Sequence, residues 1–180
     1  MALAHSVLVV LTLAVLMLLI YGVLVYNNLV SVRNNVARAW ANIDVLLKQR
    51  HDELPKLMDV CRGYKQFEQQ TLVRVAEART RVAQAREARN IGALGPAEAE
   101  LRAGVARVFA LAEGYPDLKA NQNFLQLQGR ITALEDAIAD RREFYNESVN
   151  VNNVRIEQFP DLFVARLFGF REARMLELSA

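Results

Sequence analysis

Cysteine occurs once, histidine twice, proline four times and glycine eight times in 180 residues. A lone Cys61 excludes an intrachain disulfide and suits a reducing compartment. With His51 the one histidine beyond the N-terminal stub, no Cys/His spacing suits zinc. Scarce Gly and Pro argue against a sheet with many turns, and abundant Ala, Leu, Arg and Glu favour long helices. No strands are expected. A phosphate loop is missing too, because Gly92-Ala93-Leu94-Gly95 lacks the Lys-Ser/Thr that would follow. Charge of one sign is also lacking: 22 basic residues stand against 20 acidic ones, and no stretch is basic enough to suggest nucleic acid. The expectation is a protein without catalytic residues, cofactor, metal or nucleic-acid partner.

What the chain has in quantity is one apolar run. Val7 to Val25 (VLVVLTLAVLMLLIYGVLV) carries no charge and is interrupted only by Thr12, Tyr21 and Gly22. A hydrocarbon core needs about 20 such residues. A cleaved signal peptide would start with positive charge, hold a shorter apolar stretch and end at small residues. This run starts after MALAHS and ends in YGVLVY, so it is expected to be retained as a transmembrane helix. Arg33, Arg38, Lys48 and Arg50 all follow the span and none precedes it, which places the N-terminus outside and the remainder in the cytoplasm. Residues 26–112 hold 14 basic and 9 acidic residues, and 113–180 hold 8 and 11. The halves therefore have opposite sign and are expected to pack together.

The run passes without a break into a second pattern. Leu29, Val36, Trp40, Ile43, Leu47, Leu54, Met58 and Cys61 recur mostly at three- and four-residue steps, the stripe of a helix with one buried face. This first helix is expected to reach Arg62, bend near Asp52 because of Pro55, and end at Gly63 in a left-handed conformation. A second helix is expected from Lys65 to Asn90. Asn90 to Pro96 is the plainest breaker, so a third helix should run from Pro96 to Glu113. After Gly114-Tyr115-Pro116-Asp117 a fourth begins near Leu118 or Ala120. It carries Phe124, Leu127, Ile131, Leu134, Ile138 and Tyr145 as a coiled-coil-like seam, with Arg141 in a slot of it. Pro160 closes it. The fold class is therefore all-α, a single N-terminal transmembrane helix continuing into a long antiparallel four-helix bundle. The divisions are a stub (1–6), the span (7–25), the bundle (26–159) and an aromatic, basic tail (160–180). Counting helices up and down puts the tail near the bilayer and the turns at Gly63 and Tyr115-Pro116 at the distal tip.

Several motifs are specific in this order: YNNLVSVRNNVARAWANIDVLLKQR, DELPKLMDVCRGYKQFEQQTL, YPDLKANQNFLQLQ, FYNESV, IEQFP and LFGF. Together they resemble the LemA family of bacterial membrane-anchored proteins from about Tyr26 to Phe170. The resemblance implies one N-terminal transmembrane helix, a four-helix bundle and an N-out orientation in the bacterial inner membrane. It implies no established activity; one relative is associated with membrane remodelling. Lys56, Phe67 and Asn152 stand where the family usually has Asn, His and Tyr.

Candidate functional residues fall in three groups. Tyr64, Tyr115, Pro116, Asp117, Lys119, Asn121, Gln122 and Asn123 gather at the expected tip, either as turn and capping chemistry or as a partner-binding surface. Asp44, Arg50, Arg141 and Asn152 fall on or beside apolar stripes, and a buried network that fixes helix register is the favoured account over a ligand site. Trp40 is expected in the core. In the tail, Phe163, Phe168 and Phe170 with Arg166, Arg171 and Arg174 combine apolar and positive groups. That pairing suits an anionic leaflet, and the competing account is a plug for the open bundle end. The expected partners are the lipid bilayer, a protein not named by the sequence, and further copies of the chain. The leading function is a non-enzymatic interaction or assembly scaffold, and the alternative is an oligomerising membrane-remodelling protein.

Overall fold

A computed structural model describes residues 2–64 and 67–177, and among these every regular element is helical. The helices are α1 (Ala2–Arg62), α2 (Gln69–Glu87), α3 (Ile91–Ala112), α4 (Pro116–Lys119), α5 (Gln122–Glu157) and α6 (Asp161–Phe168). Lys65, the expected start of the second helix, and Leu178 of the tail lie outside the described residues, as does Met1 of the expected stub. The chain divides into two compact units, one of residues 1–38 and 147–173, the other of 39–146 and 174–180. Helices α1 and α5 contribute to both.

In the first unit, the apolar side chains of α1 from Val7 to Leu24 face outward, with Met17 73% and Leu18 71% exposed. A soluble helix would bury such a run. This one is long and apolar enough to cross a membrane. Burial begins where the run stops: Val25 and Leu29 form a small core with Ile156 and Ala165, flanked by Val164 and Phe170. Helix α6 closes on Gly169, which takes the left-handed conformation at φ 69°. That reversal lets the Phe170 N–H donate to the Ala165 carbonyl at 2.9 Å, the hydrogen bond of a glycine-ended helix. The segment after it is held by amide side chains. Asn152 donates to the Arg171 carbonyl at 3.2 Å, and Asn153 both donates to the Ala173 carbonyl and accepts from its N–H at 2.9 Å.

In the second unit, α1 buries Ile43, Leu47, Leu54, Leu57, Met58 and Cys61. Helices α2 and α3 pack against one another, burying Leu72, Val75, Ala78 and Val82 from one and Leu94, Leu101, Val105 and Val108 from the other. Leu118 of α4 and Phe124, Ile131, Ile138 and Tyr145 of α5 complete the core. Trp40, expected there, is half-buried and meets the Tyr145 ring edge-on at 6.0 Å, while its neighbour Ala39 is 1% exposed.

Several helix boundaries differ from the sequence expectation. Phe67 is buried but precedes α2, whose first residue is Gln69. Gly63 does not take a left-handed conformation; its N–H bonds to the Asp59 and Val60 carbonyls. The left-handed residue at a helix junction in this unit is instead Arg89, at φ 49°, between α2 and α3. Helix α3 starts five residues before Pro96, because the Asn90 side chain caps it by accepting from the Ala93 N–H at 3.1 Å. Gly92 and Gly95 are therefore helical, and they serve close approach. A Cβ on Gly92 would meet the Arg174 guanidinium, and one on Gly95 would meet the Glu177 carbonyl. The expected fourth helix is two elements, α4 and α5, with Ala120 and Asn121 between them. Helix α5 ends at Glu157, and the aromatic, basic tail contains α6.

Candidate functional site

The tip residues sit in the second unit, and the structure brings several of them together. The Tyr64 hydroxyl donates to the Asp117 carbonyl at 3.2 Å and accepts from the Asn121 side chain at 3.3 Å. Asn121 in turn caps α5, its carbonyl oxygen accepting from the N–H groups of Asn123 at 2.9 Å and Phe124 at 3.2 Å. Pro116 occupies the first turn of α4, where its missing N–H costs nothing. The Tyr115 ring lies 5.5 Å from that of Phe67, and Lys119 pairs with Glu113. Pro116, Asp117, Lys119, Gln122 and Asn123 remain exposed around this cluster. The inner members thus do turn and capping work, and the outer ones present a polar surface.

Deeper in the same unit lies a buried ionic cluster. Arg50 is 2% and Glu98 4% exposed, and one guanidinium nitrogen of Arg50 donates to both Glu98 carboxylate oxygens, at 2.5 and 2.6 Å. Arg102, Glu135 and Arg142 line the adjoining cavity of about 20 Å³, together with Leu47, Ile138, Ala139 and Leu176. That is room for about one water. Burial pushes the Glu135 carboxyl above the usual range despite the opposing pull of Arg50 and Arg102, and its Oε1 has no protein hydrogen-bond partner. A cavity this small cannot take an organic ligand. Its polar groups come from α1 (Arg50), α3 (Glu98, Arg102) and α5 (Glu135, Arg142), so the cluster lies where three helices meet. Of the four polar residues singled out from the sequence, Arg50 belongs to this cluster, and Asp44 pairs with Arg86 at 3.8 Å. Asn152 is buried in the other unit. Arg141 is exposed, and Arg142, one step round the helix, faces the cavity in its place. Glu98 and Glu135 were not singled out, since a charge at helical spacing reads as a solvated face.

The C-terminal segment enters the second unit. Tyr145 donates from its hydroxyl to the Arg174 carbonyl at 2.9 Å, and Asn146 grips Leu176 at both backbone groups, accepting from its N–H at 2.8 Å and donating to its carbonyl at 3.2 Å. Leu176 is 1% exposed. Cys61 is buried, and burial pushes its thiol up to about 11, so it is a poor nucleophile. Among the described residues, no three His, Cys, Asp or Glu side chains gather as a metal site would.

In the first unit, the tail aromatics lie beside the end of the apolar run. Phe168 is exposed, with its ring 4.7 Å from that of Tyr26. Phe170 is half-buried against Tyr26 at 5.8 Å, and the Arg33 guanidinium lies over it at 5.4 Å. Phe163, Arg166 and Arg171 are exposed. Arg174 belongs to the other unit, beside Gly92. Leu167 of α6 and Phe159 in the turn before it are exposed as well.

With this geometry in view, comparison with known proteins is informative. The LemA family model matches residues 39–180. Protein LemA of Metamycoplasma hominis is 29% identical over 157 residues, covering 85% of this chain and 69% of that one. Magnetosome proteins MamQ 1 and MamQ 2 of Paramagnetospirillum magneticum are each 21% identical over 196 residues, covering 96% of this chain and 72% of theirs. A family match across all of the second unit and the helical tail, joined to an apolar helix at the N-terminus, settles the kinship: the chain belongs to the LemA family.

Proposed function

We propose that this protein is a non-enzymatic scaffold held in the bacterial inner membrane, with its N-terminus outside and an antiparallel four-helix bundle in the cytoplasm. The observation that carries the reading is the continuity of α1. One helix runs from side chains that only lipid would cover, Val7 to Leu24, into residues buried by protein, from Val25 onward. The exposed rim of Pro116, Asp117, Lys119 and Asn123 around the Tyr64–Asn121 cluster is the surface offered to a protein partner. Its charged and amide groups are held on capped helix ends, so a partner would meet a preformed surface. The non-enzymatic reading draws on the pairing of buried Glu98 with Arg50 and on the raised thiol of Cys61.

A second reading, an oligomerising membrane-remodelling protein, draws on the relatives that are magnetosome proteins and on the apolar side chains left exposed beside the span. Cross-linking in native membranes followed by mass spectrometry separates the two. The scaffold reading expects mainly heterotypic links through Asp117, Lys119 and their neighbours. Predominant self-links along the bundle would replace it with the second reading.

A further inference from the structure

Helix α6 and the turn before it leave a group of large apolar side chains uncovered. Phe163 and Leu167, four residues apart on α6, are 64% and 78% exposed, Phe168 is 58% exposed, and Phe159 in the preceding turn is 79% exposed. The Phe159 and Phe163 rings meet edge-on at 5.7 Å, so the turn residue joins the exposed side of the helix. The opposite face of the same helix is buried: Ala165 is 2% and Asp161 6% exposed. Asp161 is neutralised by Arg155 at 2.9 Å. The helix is thus amphipathic, with its acid turned inward and its aromatics outward, the reverse of what a surface helix in water presents.

Its position identifies what covers that face. The Phe168 ring contacts Tyr26, the residue immediately after the apolar run, and the α6 core partners Val25 and Leu29 stand at the same level of α1. An apolar run that fills the hydrocarbon layer leaves Tyr26 at the headgroup boundary, where aromatic rings concentrate. Helix α6 is packed at that boundary. Exposed Arg166 and Arg171 flank this apolar group, and Arg33, also exposed, adds a third cation on α1, the complement to anionic headgroups. Four side chains offer roughly a few hundred Å², well short of the about 800 Å² per partner of a standard protein interface. A lipid surface needs no such minimum, because it continues from the span itself.

We infer that α6 lies in the leaflet interface, with its Phe163, Leu167 and Phe168 and the preceding Phe159 inserted among the acyl chains nearest the headgroups, as a second membrane contact beside the span. The inference rests on the membrane placement proposed above. Its consequence is orientational. A single helix leaves the protein free to tilt and spin about the span, whereas two contacts at one level hold the base of the chain at a fixed angle to the bilayer.

The test uses the full chain in nanodiscs containing anionic lipid, in a Cys61→Ser background, with a spin label on one of three exposed positions: Leu16→Cys, Phe163→Cys or Glu87→Cys. Collision with oxygen, which concentrates in lipid, is compared with collision with a water-soluble nickel chelate. The expected result is a several-fold excess of oxygen over nickel collisions at Leu16 and Phe163, and the reverse at Glu87. If the label at Leu16 is in lipid and that at Phe163 behaves like Glu87, α6 is in water and the inference is overturned while the anchor stands. Should Leu16 also behave like Glu87, the membrane reading itself fails. A Phe163 label shielded from both reagents and broadened by a neighbouring label means that a second copy covers the apolar group, which overturns the lipid contact.

Discussion

Pro55 has no amide hydrogen, so the His51 carbonyl four residues earlier loses the donor that a helix would supply. The structure fills the vacancy from another element: Arg79 of α2 donates from Nε to the His51 carbonyl at 2.9 Å, and its guanidinium also meets the His51 ring at Nε2, 2.8 Å away. Burial, and after it Arg79, pushes the His51 pKa below its ordinary value. The imidazole accepting from Arg79 is therefore neutral. Because the folded pKa is depressed, the stability tied to this group is complete above the unfolded value of about 6.5 and declines as pH falls below it. The arrangement predicts a coupling. Arg79→Ala leaves the carbonyl short of a partner at a cost of about 1–3 kcal/mol, and in a Pro55→Ala background, where residue 55 regains an N–H, the same change should cost clearly less. Denaturant unfolding of the four proteins in detergent measures it, and equal costs in both backgrounds would refute the pairing. Proline inside a helical stripe is visible in the sequence as a defect. Which arginine repairs it is not, since Arg79 is one of six arginines between Arg74 and Arg102 and only the packing of α2 on α1 selects it.

At the scale of elements, the long stripes were legible and the breaks were misjudged. Ile43, Leu47, Leu54 and Met58 keep helical spacing and are all buried, because a core-facing position tolerates little else. The Gly92 to Pro96 stretch reads as a turn by residue type alone. It is helical because Asn90 caps the helix and because the C-terminal segment needs the space that two glycines leave. That segment is remote in sequence, so local propensity carries no trace of it. The same space predicts a reversal of sign. Gly95→Ala should destabilise the full chain by about 1–3 kcal/mol, since the new methyl meets the Glu177 carbonyl. In a chain ending at Ala173 the obstacle is gone, and alanine's helix propensity should make the same substitution stabilising by up to about 1 kcal/mol. Thermal melting in detergent reads both; destabilisation of equal size in the two backgrounds would show that Gly95 is not there for the C-terminal segment.

At the scale of the whole molecule, the apolar run and the family motifs carry most of what sequence reveals. Nineteen uncharged positions need no context to be read as a span, and strings such as YPDLKANQNF are too specific for helical composition to produce. The candidate site was less legible. Tyr64, Asp117 and Asn121 were singled out individually, yet that one hydroxyl links two of these turns is a property of three-dimensional closure. Phe159 carries no such signal, because an apolar residue before a helix-ending proline reads as core until its exposure is known. The central proposal is an apolar run retained in the membrane with the residues after it in the cytoplasm. The most direct measurement places a Cys at exposed Glu87 in a Cys61→Ser background and treats spheroplasts with a membrane-impermeant thiol reagent before and after lysis. The account predicts protein that stays with alkali-washed membranes and is labelled only after lysis. Labelling in intact spheroplasts would contradict the orientation, and release by the alkaline wash would contradict the anchor.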